Sequence, residues 1–425
     1  MLTVSEAIAA VIARVTRMPV VQVPLEDALG LVLAEDIVSD LDSPPFDKAL
    51  MDGYAIRSVD LIAGCGRLRV VDEVLAGQVP HQPVGPGEAT RIMTGAPIPE
   101  GVDAVVPVEQ TRMAGLELPH PVVLIESTAV TAGRNILRRG KSTAKGTRVL
   151  RAGRQLRAQE IGALAELGKS QVAVYGRPRV AVLSTGDELV PVNEIPGPGQ
   201  IRNSNESMLA AQLRQMGAVP VLLGVARDDP AEMREKIARG LTCDVLLLSG
   251  GVSAGKLDLV PSVLAEAGVS QVFHKVQVKP GQPVWFGVLE PSSAVTPSDS
   301  GFHPFAKGDP VRSPCCVFGL PGNPVSSMVC CELFTRTAIR RLMAIEPAAT
   351  APLRAKLTKD HFSGGNRPTY HPAKFAQTES GLFVEPVRWV GSADLCGTVE
   401  ANAMVLFPEG ERTYHAGTML DLFPW

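Results

Sequence analysis

The chain is poor in aromatic residues, at 4% of its 425 positions, and close to electrically balanced, at a formal charge of −3. The first shortage excludes rows of stacked rings for single-stranded nucleic acid. The second excludes the broad basic field that non-specific nucleic-acid binding needs, so no nucleic-acid partner is expected. No apolar run approaches the length of a membrane-spanning helix, and no membrane association is expected. The first fifteen residues carry Glu6 and Arg14 within an apolar pattern and lack a basic leader, which predicts an amphipathic helix and not a signal peptide. There are seven cysteines, an odd number, and no CxxC pair. The vicinal pairs Cys315-Cys316 and Cys330-Cys331 lie in a predicted strand and helix. Small buried hydrophobes in a reduced, cytoplasmic setting account for them, with metal or redox use the minor alternative. No repeat of fixed period is present.

What is abundant is glycine and proline, 40 and 35 residues, placed at strand ends. Three apolar runs stop in turns of this kind. One is Arg179 to Leu183, followed by Thr185-Gly186-Asp187-Glu188. The second is Asp244 to Leu248, followed by Ser249-Gly250-Gly251-Val252-Ser253. The third is Cys315 to Phe318, followed by Leu320-Pro321-Gly322-Asn323-Pro324. Helical patterns over 204–216, 230–241 and 257–267 separate them. Buried parallel strands joined by right-handed crossovers are therefore predicted, with all three turns on one edge of one sheet, where open α/β sheets bind ligands. Further strands are expected over 273–278 and 284–288. Asn323 is placed to cap the last helix and Pro324 to open it, so its N-terminus suits an anion.

Residues 1–30 carry helical periodicity, residues 54–135 read as short strands between turns, and residues 133–176 read as helical again, with the clearest pattern over 156–168. Residues 290–314 are rich in Ser, Pro and Gly and read as a mobile surface loop, and short strands return after 347. The fold class is α/β plus β: a central three-layer α/β domain with a mainly parallel sheet, an inserted small β domain, and a C-terminal β-barrel-like module. The corresponding divisions are 1–50 with 136–176, 51–135, 177–345 and 346–425.

The motifs Pro45-Phe46-Asp47, Met51-Asp52-Gly53-Tyr54-Ala55, Met93-Thr94-Gly95-Ala96-Pro97, Ser184-Thr185-Gly186-Asp187-Glu188-Leu189, Ser249-Gly250-Gly251-Val252-Ser253, Lys279-Pro280-Gly281 and Leu320-Pro321-Gly322-Asn323-Pro324-Val325-Ser326 occur in one order. Together they resemble the molybdopterin molybdenumtransferase family, the MoeA-type enzymes and the gephyrin E domain, over almost the whole chain. The resemblance implies a homodimer with its active site between subunits. It implies insertion of molybdate into adenylylated molybdopterin with release of AMP, assisted by Mg²⁺. It assigns catalytic roles to Asp52, Thr94, Glu188, Asp228 and Asp258, with Glu188 and Asp258 as metal ligands. Substrate contacts fall to Thr185, Gly186, Asp187, Gly250, Gly251, Ser253, Pro321, Gly322, Asn323, Pro324 and Ser326. Lys275, Lys279, Arg367 and Ser392 are its cations and hydroxyl for the oxyanion. Several of these have structural alternatives: Asp52 precedes Gly53 in a common turn dipeptide, and Asp228 and Asp258 are each placed to cap a helix.

The chain departs from the family pattern where Gly140-Lys141-Ser142 replaces Gly-Glu-Asp, where Lys256 replaces an acid, and where Pro280-Gly281-Gln282-Pro283 replaces Pro-Gly-Lys-Pro. These changes leave fewer carboxylates for a cation. A molybdopterin-binding or scaffold protein with weakened catalysis is the competing reading, and adenylyl transfer is a third.

Overall fold

The computed structural model describes residues 1–114, 121–127, 129–252, 259–291 and 314–425. The chain forms two compact units. One comprises Met1–Ala34, Gln155–Ala158 and Gln171–Trp425, and the other Glu35–Arg154 with Gln159–Ser170.

The first unit is built on a six-stranded sheet. Its strand order is Val219–Ala226, Arg179–Thr185, Val245–Ser249, Cys315–Leu320, Trp285–Leu289, Ser270–His274. The first four strands are parallel, and Trp285–Leu289 runs against both of its neighbours. Every residue of Val245–Ser249 and Cys315–Leu320 is buried, as expected of strands covered on both faces. Ser184 pairs with Ser249, Ser249 with Leu320, and Ser184 with Val225 on the outer strand, so the three glycine turns leave the sheet at one edge as predicted.

The expected strand 273–278 is displaced to Ser270–His274. Lys275 takes a left-handed backbone conformation, φ +69°, which breaks the extended run, and the next residues form the Lys279-Pro280-Gly281 turn. Helices Ser204–Gln215, Pro230–Gly240 and Val260–Glu266 match the periodic segments. The helix opening at Pro324 runs to Cys330 and continues through a π-helical turn, Cys331–Thr335, into Arg336–Leu342. The vicinal cysteines of the sheet and of this helix are buried. Burial pushes their thiols up, Cys316 to about 12, which keeps them protonated and consistent with packing groups.

The carboxyl-terminal part of this unit is a closed five-strand barrel, Leu353–Leu357, Gly381–Pro386, Thr369–Thr378, Ala403–Phe407 and Met419–Pro424. Its interior is apolar, with Phe407, Val405, Val384 and Leu422 at the centre. A separate antiparallel pair, His361–Ser363 with Arg412–Tyr414, packs against it through His361 and Tyr414 on Phe407. The segment 292–313, which holds most of the Ser/Pro/Gly-rich stretch, lies outside the described residues.

The second unit holds a second six-stranded sheet, in the order Ala104–Pro107, Gly53–Ile56, Glu88–Ile92, Cys65–Val74, Val122–Glu126, Thr111–Ala114. Of the stretch 133–176 that reads as helical, only Ala158–Glu166 is helix. Ile136–Leu137 pairs with Lys48–Ala49, and Arg148–Leu150 pairs with Ile37–Val38. Their partners are remote in sequence, so local periodicity carries no sign of this pairing.

Candidate functional site

The first sheet-edge turn is shaped by Gly186. Its φ is +138°, and a methyl group there would sit 2.3 Å from Glu188 Oε2, so only glycine leaves the Glu188 carboxylate where it is. Thr185, 5% exposed, ends the strand beneath it, and its Oγ1 is buried with no hydrogen-bond partner among the described residues. Gly250 and Gly251 of the second turn, at φ +97° and +64°, come so close to Thr185 that a methyl on either would lie within 3 Å of its oxygens.

Asp228 lies in the wall of the same cavity. It does not cap the helix that follows; Asp229 does, accepting from Glu232 N at 2.8 Å. Asp187 is used internally. Its Oδ1 accepts from Asp228 N at 3.1 Å, and its carbonyl accepts from Arg227 Nη1 at 2.8 Å, which ties two loops together. The resulting chamber has a volume of about 360 Å³ and brings together Thr185, Gly186, Glu188, Asp228, Gly250, Gly251, Pro321, Gly322 and Asn323.

Asn205 was not singled out by the motifs. Its Nδ2 donates to Ser249 Oγ and to Gly322 O, both at 2.7 Å, and so joins the second and third turns. The only signal for it in the sequence is a second asparagine in the first turn of a helix already capped by Asn203, whose Oδ1 accepts from Glu206 N.

Asn323 stands at the N-cap position of its helix but does not cap with its side chain. Instead its Nδ2 donates to Ser392 Oγ at 3.0 Å, while Val325 N donates to Ser392 O at 3.0 Å. Pro324 has no N–H and Val325 N is already engaged, so fewer amides are left for an anion than the loop pattern suggests.

Ser392 opens a second chamber of about 620 Å³, which shares Pro283, Pro321 and Asn323 with the first. Lys279, Arg367, Ser326 and Ser392 all line it. Lys279 Nζ donates to Gly364 O at 3.2 Å, and its backbone is held by Pro368 O and Tyr370 N, at 2.9 and 2.7 Å. The same wall carries His361, His371 and Trp389, none of which the motifs indicate. His371 is pushed down to about 4 by burial, and His361 is lowered by burial and then by Lys359, so both rings are neutral near pH 7.

Lys275 and Pro324 line neither chamber. Ser253, Lys256 and Asp258 lie outside the described residues. Asp52 and Thr94 belong to the other unit, as do Lys141 and Ser142, which are exposed there. Asp52 and Thr94 meet each other: Thr94 N and Oγ1 both donate to Asp52 Oδ1 at 2.7 Å. These two bonds, the backbone one first, hold the Asp52 carboxyl below the usual range. Among the described residues no three His, Cys, Asp or Glu side chains form a metal-binding group.

Comparison with known proteins matches three family models in sequence order. They are the MoeA N-terminal region (domain I and II) over residues 2–168, the probable molybdopterin binding domain over 181–341, and the MoeA C-terminal region (domain IV) over 354–425. The chain is 33% identical over 424 residues to a molybdopterin molybdenumtransferase of Staphylococcus aureus, covering 99% of this chain and 94% of the relative. It is 32% identical to that of Bacillus subtilis, covering 94% and 88%. A solved structure of the molybdopterin biosynthesis MoeA protein from Pyrococcus horikoshii matches with a TM-score of 0.77 at 28% identity, over 100% of both chains.

Proposed function

The chain belongs to the molybdopterin molybdenumtransferase family of molybdenum cofactor biosynthesis, and we propose that its reaction is insertion of molybdate into adenylylated molybdopterin with release of AMP. The observation that carries this reading is the opposite character of the two adjoining chambers. The first offers Glu188, Asp228 and the Thr185 hydroxyl, unpartnered among the described residues, beside close-approach glycines. That set suits a pyrophosphate with its cation. The second offers Lys279, Arg367 and Ser392, which suit a tetrahedral dianion.

Mg²⁺ fits the first chamber, because this ion is held through one or two carboxylates, substrate phosphates and its own waters, and not by a full protein cage. Glu188 would hold it, together with Asp258, and the ion would neutralise charge on the pyrophosphate as the anhydride is cleaved. The glycine turns bring backbone close to the phosphates, the Thr185 hydroxyl supplies an unused donor, and Asn205 keeps the second and third turns in register.

In this reading the chain is a cytoplasmic homodimer of four-domain subunits, divided at 1–50 with 136–176, 51–135, 177–345 and 346–425. Asp52 and Thr94 serve the central domain of the partner. The decisive experiment supplies adenylylated molybdopterin, molybdate and Mg²⁺ and follows AMP release together with active cofactor. Wild type should turn over, and Glu188→Gln and Arg367→Ala should each lose activity by tenfold or more. Tight molybdopterin binding without AMP release by the wild type would overturn the proposal in favour of a binding or scaffold role.

A further inference from the structure

In the second chamber Arg367 does not stand alone. Its Nη1 donates to Gln282 Oε1 at 2.8 Å and to Val278 O at 3.2 Å. Nη1 carries two hydrogens, and two acceptors take both. Among the described residues no protein partner meets Nε or Nη2 of this side chain. The Nε–Nη2 edge is a fork of two parallel N–H groups, the geometry that grips two oxygens of one oxyanion. Gln282 itself is anchored, since its carbonyl accepts from Val276 N at 3.0 Å and its Nε2 donates to Met1 Sδ at 3.5 Å. It sits one residue past Gly281, where a methyl group would lie 2.3 Å from Cys330 Sγ, so this turn is packed down on the helix and its position is fixed.

We infer that Gln282 is a positioning residue for the oxyanion: by binding Nη1 it locks the Arg367 guanidinium and leaves its other edge for an anion in the chamber that Lys279 also lines. The inference rests on reading this chamber as the molybdate end. Gln282 stands where the family pattern carries lysine. A cation there would repel Arg367 and leave Nη1 with one acceptor, whereas the neutral amide orients Arg367 at no cost in charge. The chamber thus holds two fixed cations, Lys279 and Arg367, which matches the charge of one dianion. Gln282 acts on binding of the oxyanion and not on the anhydride in the first chamber.

The test uses the full-length protein and inorganic oxyanions. Gln282→Met keeps the length of the side chain and removes the acceptor. Its KM for molybdate should rise about tenfold, the cost of ordering one freed side chain on binding, with kcat nearly unchanged. Inhibition by tungstate should weaken by the same factor, while KM for adenylylated molybdopterin stays put. Gln282→Lys should be no better than Gln282→Met, because the added charge is offset by loss of the Arg367 orientation. Two failures are distinguishable. If Arg367→Ala leaves the molybdate KM unchanged, the reading of this chamber is wrong. If Arg367→Ala raises it but Gln282→Met does not, or if Gln282→Lys binds molybdate more tightly than wild type, the chamber stands and the positioning role is overturned.

Discussion

Gly250→Ala tests the geometry of the first chamber through two separable costs. The residue sits at φ +97°, where an L side chain is strained by roughly 1–3 kcal/mol. Its new methyl would also lie 2.7 Å from the carbonyl oxygen of Thr185 and 2.9 Å from its Oγ1. That carbonyl belongs to the backbone of a central strand and cannot swing aside, so overpacking adds about 1–3 kcal/mol. Gly224→Ala separates the two contributions. Gly224 is also left-handed, at φ +74°, but has nothing within 4 Å of the added methyl, so it carries only the conformational cost, about 1–2 kcal/mol. Thermal and urea unfolding of both variants, followed by circular dichroism, should place Gly250→Ala below Gly224→Ala by about 1–3 kcal/mol, or several degrees in melting temperature. Gly250→Ala should also lose AMP release, because relief of the clash moves Thr185, while Gly224→Ala keeps it. Equal melting of the two variants would show that the second turn does not press on the first strand, and the shape argued for the chamber would fail with it.

Four further outcomes are expected. Asn205→Ala should destabilise by about 2 kcal/mol, one charge-neutral hydrogen bond to each of two loops, and should lower AMP release by loosening their register, both measurable in one preparation. Thr94→Val removes the hydroxyl donor to Asp52 and should raise the Asp52 pKa toward the ordinary carboxylate value in a carbon-detected titration; an unmoved pKa would mean the backbone bond alone holds it. His371 is lowered from 6.5 to about 4 by burial, so the unfolded chain takes up a proton first as pH falls. Stability should therefore drop between about pH 6.5 and 4, by up to about 3 kcal/mol from this residue, and His371→Asn should flatten that slope in melts across pH. Mixing Asp52→Ala subunits with Glu188→Ala subunits should restore part of the lost activity if the site is shared between chains, and recovery no greater than the two homodimers would place it within one.

The sequence alone determined the mainly parallel sheet and the edge at which its glycine turns gather. Valine, leucine and cysteine runs such as 245–248 and 315–318 bury on both faces, and glycine turns at their ends leave few other arrangements. It also determined the family, through motifs whose order does not depend on the fold being known. Three kinds of feature needed the tertiary structure. The short strands at 136–137 and 148–150 exist only because remote segments pair with them, so their own periodicity misleads. Residues that look alike in sequence take different jobs: Asp229 caps a helix while its neighbour Asp228 lines the chamber, and Asp187 is spent on joining two loops. The second chamber is assembled from the 279–283 turn, the barrel and the 389–392 loop, the first and last of which are more than a hundred residues apart. No local pattern marks Gln282, His371 or Trp389 as neighbours, because what brings them together is closure of the barrel and its seating on the helix that opens at Pro324.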